Sequence, residues 1–255
     1  MQLRRSLALL ALLALSPLLN ACADVPKTPE AQAEAAAVDD PLEPMNRVIF
    51  DVNDFLDRLL IRPITELYRF VAPDYLRDRV ANVVANIGEP VIFANDLMEG
   101  RWNSSWITLQ RFGVNTTVGV AGIWEVADGW GLPKQSGDFG QTLHIWGINA
   151  GPYLVLPLFG PSNFRDAIGL GVDTAMSPWQ YVAYAGGGQG DENRYNFSEW
   201  GADGLTRRDQ SIEGLDALRA GSLDFYAEMR SVYKQYRDKQ LGIKDTTQPT
   251  FEDYE

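Results

Sequence analysis

One cysteine and one histidine in 255 residues remove most covalent and metal chemistry from consideration. A lone thiol cannot close an internal disulfide, and a lone imidazole cannot build a His-rich metal site. No G-x-x-x-x-G-K-[ST] segment exists to cradle a nucleotide. No G-x-S-x-G elbow accompanies His144, and Ser162 lies in the turn-like Gly160-Pro161-Ser162-Asn163-Phe164. Gly169-Leu170-Gly171 lacks the third glycine of a dinucleotide loop. Asp191-Glu192-Asn193 lacks the ligand spacing of an EF-hand. After Cys22 there is no run of about 18 apolar residues, so no helix need span a bilayer. Basic residues are outnumbered, 22 Lys and Arg against 34 Asp and Glu, for a net charge of −12. That balance excludes nucleic acid as a natural partner and polybasic attachment to anionic lipid. These absences predict a protein that is not an enzyme, with no catalytic residue, no metal and no diffusible cofactor.

What is present starts at the N-terminus. Arg4 and Arg5 precede an apolar run from Leu7 to Leu15, and Leu19-Asn20-Ala21-Cys22 follows. A charged start, a short apolar stretch and a small residue before the cut make a secretory signal. A cysteine directly after the cut makes it a bacterial lipoprotein signal. The chain therefore divides into a removed leader (1–21) and a lipidated N-terminus with a flexible tether (22–39). A folded domain (40–240) and an acidic disordered tail (241–255) complete it. Losing the leader, with its two arginines and no acid, takes the net charge from −12 to −14. Cys22 is the lipidation site, a palmitate-type modification, and its covalent lipid is the one non-protein group expected. One acyl chain anchors marginally and two or more hold firmly, at about 0.8 kcal/mol per buried CH₂. The tether, rich in Ala, Glu and Pro, reaches about 60 Å at about 3.3 Å per residue.

Within the domain the apolar residues recur at helical spacing. Val48, Val52, Phe55, Leu56, Leu59 and Leu60 predict one amphipathic helix over Asn46–Leu60. Pro63 opens a second, which Pro73 ends. Tyr75–Ile87 forms a third, and Pro90 opens a fourth that Gly100 closes. Trp106 to Phe112 continues the pattern. Gly151 to Pro161 reads as a short strand or a loop against lipid or core, and its prolines exclude a central strand. Residues 186–196 read as a flexible polar loop, and Gly221 to Gln240 as a final helix.

The domain resembles the MlaA (VacJ) lipoproteins. The resemblance opens with Asp40-Pro41-Leu42-Glu43-Pro44-Met45-Asn46-Arg47, Phe50 and Asn53. It continues through Asn86-Ile87-Gly88-Glu89-Pro90, Arg111-Phe112-Gly113-Val114-Asn115-Thr116-Thr117-Val118-Gly119 and Asp138-Phe139-Gly140-Gln141-Thr142-Leu143. Trp146-Gly147, Gly151-Pro152-Tyr153-Leu154-Val155-Leu156-Pro157, Gly160-Pro161-Ser162, Arg165-Asp166 and Gly169 complete it, so it covers about 40 to 240. His144 departs from it, where glycine is usual.

The resemblance implies a mainly α fold: amphipathic helices as a flat ring around a central polar channel, joined by Gly- and Pro-rich loops. It implies placement in the periplasmic leaflet of the outer membrane of a Gram-negative envelope, where Ala23 after the cysteine also points. It implies passive removal of stray phospholipid from the outer leaflet, beside an outer-membrane porin trimer, with delivery to the periplasmic carrier of the Mla pathway. The alternative is a structural outer-membrane lipoprotein that scaffolds porins or envelope complexes; a lipid hydrolase built on Ser162 and His144 is a third reading. Arg47, Arg111 and Arg165 sit in the shared motifs. Each is a candidate headgroup or channel contact, because Arg binds phosphate bidentately, or else an internal salt bridge or helix-end contact. Asn46, Asn86 and Asn115 are expected to satisfy helix ends or backbone. Glycines 113–122 allow either close packing or hinge motion.

Overall fold

The computed structural model describes residues 40–243. The leader, Cys22 and the tether lie outside the described residues, as does the tail from residue 244 on. The described chain is mainly α-helical, with one small sheet. It divides into two units: the chain up to Phe55 with Ala150–Phe164, and Leu56–Asn149 with the chain from Arg165 onward.

In the first unit, helix α1 (Glu43–Leu56) supports a hairpin of β1 (Tyr153–Leu156) and β2 (Gly160–Asn163). The strands are antiparallel, pairing Tyr153 with Asn163 and Leu156 with Gly160. Pro44 falls in the first turn of α1, where a missing N–H leaves no helix bond unmade. Two asparagines on α1 hold the hairpin backbone. Asn46 Nδ2 donates to the Tyr153 carbonyl at 3.0 Å and to Asp40 Oδ1 at 2.9 Å. Its Oδ1 accepts from Val155 N at 2.9 Å. Asn53, two turns on, donates to the Leu156 carbonyl and accepts from Leu158 N, both at 2.9 Å. Each side-chain amide thus stands in for a neighbouring strand. The prolines match this edge position: Pro157 follows β1, and Pro161 lies opposite Val155.

The second unit begins with a π-helical turn (Asp57–Ile61), then α2 (Arg62–Val71) with Pro63 in its first turn. The chain turns extended at Ala72 ahead of Pro73, as a residue before proline must. Then come α3 (Asp74–Met98), α4 (Trp102–Thr117), the short α5 (Val126–Gly129), and α6 (Phe139–Ile145). The rest is α7 (Phe164–Met176), α8 (Pro178–Gly187), α9 (Gln189–Gly221) and α10 (Phe225–Gln240). Helices α3 and α4 run antiparallel: Asn86 meets Thr116, Glu89 meets Arg111, and Asp96 meets Thr108.

Three sequence expectations need correction. Helices three and four are one, α3, with Pro90 inside it. Pro90 brings no N–H to the preceding turn. The carbonyl that loses its helical partner is that of Asn86, and one residue on the indole Nε1 of Trp179 donates to the Ile87 carbonyl at 2.9 Å, a tertiary contact on the same turn. Residues 186–196 are helical rather than a loop; a single break at Gly188, φ 74°, separates α8 from α9. Helix α9 carries no apolar stripe and escaped the periodicity reading. Ion pairs lash it to the π turn and α2: Arg208 to Asp57 at 2.7 and 3.0 Å, Arg62 to Asp216 at 2.8 and 2.9 Å. Such pairs, rather than a continuous apolar stripe, hold α9 to these elements. Last, the C-terminal helix starts at Phe225, where Asp224 caps it by accepting from Ala227 N at 3.1 Å.

Candidate functional site: an apolar exterior over a polar interior

The amphipathic helices face the opposite way from those of a water-soluble domain. Among the described residues seven apolar side chains are buried against twenty polar or charged ones. The side chains expected to form a core are exposed instead: Val48, Val52, Leu59 and Leu60, then Ile64, Leu67 and Phe70 on α2, the last at 88%. Helix α4 shows the inversion residue by residue. Ser105, Thr108, Arg111 and Asn115 are buried on one face, while Trp102, Trp106 and Leu109 are exposed on the other. Its single charged residue, Arg111, points inward. Trp124, Trp130, Trp146 and Phe197 are exposed as well. Water penalises such a surface, whereas hydrocarbon accepts it and requires every polar group to be satisfied internally. No described helix is long and apolar enough to cross a membrane.

Two polar networks fill the interior of the second unit. In the first, Arg111 (1% exposed) places Nε 3.2 Å from Glu89, Nη2 2.5 Å from Glu125 and Nη1 2.5 Å from the Leu132 carbonyl. Asn115 Oδ1 accepts from Ala127 N at 2.9 Å and so ties α4 to α5. Gly122, at φ +88°, packs against Asn86, where a Cβ would lie 2.5 Å from the asparagine Cβ. Gly119 is equally confined, so these two glycines serve close approach, whereas Gly113 has open space around it.

The second network surrounds α6. Asp138 caps the helix by accepting from Gln141 N at 2.9 Å, and its two oxygens take both Arg237 terminal nitrogens at 2.7 Å. Asp166 on α7 accepts from Arg237, Arg165 and the Tyr233 hydroxyl. Burial works to raise the Asp166 pKa, but those donors hold it below the ordinary carboxylate value. Burial likewise opposes the charge on Arg237, and the Asp138 and Asp166 bonds overcome it, so its pKa rises. Asp173 is different. It accepts from Phe139 N at 3.0 and 3.1 Å and from Asn95 Nδ2 at 2.8 Å, with no cation among those donors. Burial pushes it up to about 6. Thr142 lies within bonding distance of Asn95 and Glu99, and Thr108 of Asp96.

The three arginines singled out by motif fall in different settings. Arg47 is partly exposed on α1 and pairs with Glu43 at 2.7 Å, one turn back. Arg111 and Arg165 are buried, and their bonds run to protein groups. Arg165 lies 3.0 Å from Asp166 and 3.2 Å from His144 Nδ1. Ser162 Oγ donates to the Asn163 carbonyl at 3.3 Å. Among the described residues no group of three or more His, Cys, Asp or Glu could hold a metal ion. The motif reading passed over Glu89, Asp96, Asp138, Asp173 and Arg237. The available signal was a stripe of Asn82, Asn86, Glu89 and Asp96 at helical spacing along α3, which marks a buried polar face once the apolar face points outward.

Fold and surface together define a mainly helical protein of inverted polarity. The MlaA lipoprotein family profile matches residues 38–240. The chain therefore belongs to the MlaA lipoprotein family. It is 30% identical over 212 residues to the intermembrane phospholipid transport system lipoprotein MlaA of Haemophilus influenzae, covering 81% of this chain and 80% of that one. The Escherichia coli K12 protein of the same name is 29% identical over 204 residues, covering 78% and 77%. A Rickettsia bellii relative without assigned function is 32% identical over 200 residues, covering 78% and 75%. A solved structure concerned with the maintenance of bacterial outer membrane lipid asymmetry superposes with a TM-score of 0.68 at 30% identity. It covers 79% of this chain and 98% of its own.

Proposed function

We propose that this protein is an outer-membrane lipoprotein, anchored through Cys22, that takes mislocalised phospholipid from the outer leaflet and passes it to a periplasmic carrier. It thereby maintains lipid asymmetry. The observation that carries this reading is the inversion of polarity: exposed Trp, Leu, Val and Phe over a buried web of Asn, Thr, Asp, Glu and Arg. Such a molecule is solvated by acyl chains outside and keeps polar groups within reach of a headgroup. Exposed tryptophans suit the headgroup boundary. Taking a phospholipid through water costs on the order of 20 kcal/mol, at about 0.8 kcal/mol per CH₂. A passive device therefore has to shield part of the lipid all the way. The ring and polar passage that the family resemblance implies would do so, and partnership with a porin trimer and the Mla carrier belongs to the same proposal. No bond is made or broken, so the reading assigns no catalytic residue, and direction comes from the lipid imbalance.

The test places the lipidated protein in vesicles with labelled phospholipid in one leaflet. Transfer without ATP supports the reading, and a rate equal to protein-free vesicles overturns it. Surface phospholipid in a deletion strain separates transport from scaffolding: it rises for a transporter and stays unchanged for a scaffold.

A further inference from the structure

Asn86 and Glu89 lie three residues apart on α3, one turn from each other, and both face α4. Asn86 Nδ2 donates to Thr116 Oγ1 at 3.1 Å, and Glu89 Oε1 accepts from Arg111 Nε at 3.2 Å. Each residue is buried, and each leaves one oxygen without a partner: Asn86 Oδ1 and Glu89 Oε2. Two acceptors cannot bond to each other. A proton on Glu89 would turn one of them into a donor for the amide oxygen one turn away on the same face. We propose that Glu89 is a proton-binding site held as the neutral acid, its Oε2–H donating to Asn86 Oδ1.

Charge balance points the same way. Arg111 serves two carboxylates, Glu89 and Glu125. Glu125 is partly exposed, whereas Glu89 is 2% exposed. Of two acids sharing one cation, the buried one gives up its charge. Burial raises the Glu89 pKa; Arg111 from α4 and Lys134 oppose the rise, and Glu125 adds to it. Gly122 packs on Asn86, which limits room for water beside it.

The test is infrared spectroscopy of the full-length protein in detergent. The carbonyl stretch of a protonated carboxyl lies apart from the carboxylate bands. E89Q, whose amide N–H can replace the donor, should remove part of that band near neutral pH. Its folding constant should match the wild type or exceed it. An unchanged band overturns the proposal, as does a loss of more than about a hundredfold in the folding constant, the signature of a broken buried ion pair. Should E89Q fail to fold, N86L decides: loss of the acceptor must shift the band, and an unshifted band equally overturns it.

Discussion

Arg111 sits where one guanidinium serves Glu89, Glu125 and a carbonyl while almost wholly buried. Replacing it with Met removes the donors from two acids and a carbonyl at once. R111M should lose about 3–5 kcal/mol, read by denaturant unfolding in micelles. A side chain waiting for a lipid headgroup would instead leave stability near wild type and slow transfer. Asp173 sets a second residue-scale expectation. Its pKa rises from 3.8 to about 6 on folding, so between those values the folded chain holds a proton that the unfolded chain has released. Stability therefore falls as pH rises through that window. D173N keeps an acceptor for Phe139 N and should flatten this part of the pH–stability curve, measured by thermal unfolding at a series of pH values. Arg111 was legible in the motifs, and Asp173 was not. The role of Arg111 was not legible either, since it meets acids 22 and 14 positions away and nothing local says which way it points.

At the scale of elements, α1 and its hairpin depend on two side-chain amides. N46A removes a buried residue with three hydrogen bonds and should cost about 2–4 kcal/mol, a larger loss than N53A at the half-buried site. Denaturant unfolding of both variants compares them. In α3, W179F would remove the indole N–H that reaches the Ile87 carbonyl and cost about 0.5–1.5 kcal/mol, with the loss seen as faster amide exchange around residues 86–91. The start of α2 was readable from Pro63, because that signal acts within a turn. Pro90 reads as a helix start because the proline signal is local, whereas α3 runs through it and packs along its length on α4. Helix α9 was missed for a related reason: its binding to the π turn and α2 runs through charge pairs, which leave no apolar period to count.

At the scale of the whole molecule, the apolar exterior decides the solvent. Variants retaining a single exposed tryptophan, at 102, 106 or 130, should show fluorescence quenching by lipids brominated along their chains. Quenching by a water-soluble agent such as iodide should be weak in vesicles. The reverse pattern would mean that these rings face water and that the inverted surface belongs to a protein–protein contact instead.

By itself the sequence determined the family and the helical segments between residues 46 and 112 and before Gln240, because prolines, spacing and short motifs are local. It also determined that the helices are amphipathic. Which face each helix buries was decided by tertiary structure alone. A stripe of Val, Leu and Trp satisfies the same period whether its neighbour is a core or an acyl chain. The direction follows from where the polar stripe finds its partners, and for Asn86, Glu89, Asp96 and Arg111 those partners are on the neighbouring helix. Buried hydrogen bonds are strongest where water is excluded, so that pairing sets polar faces together and turns the apolar faces outward.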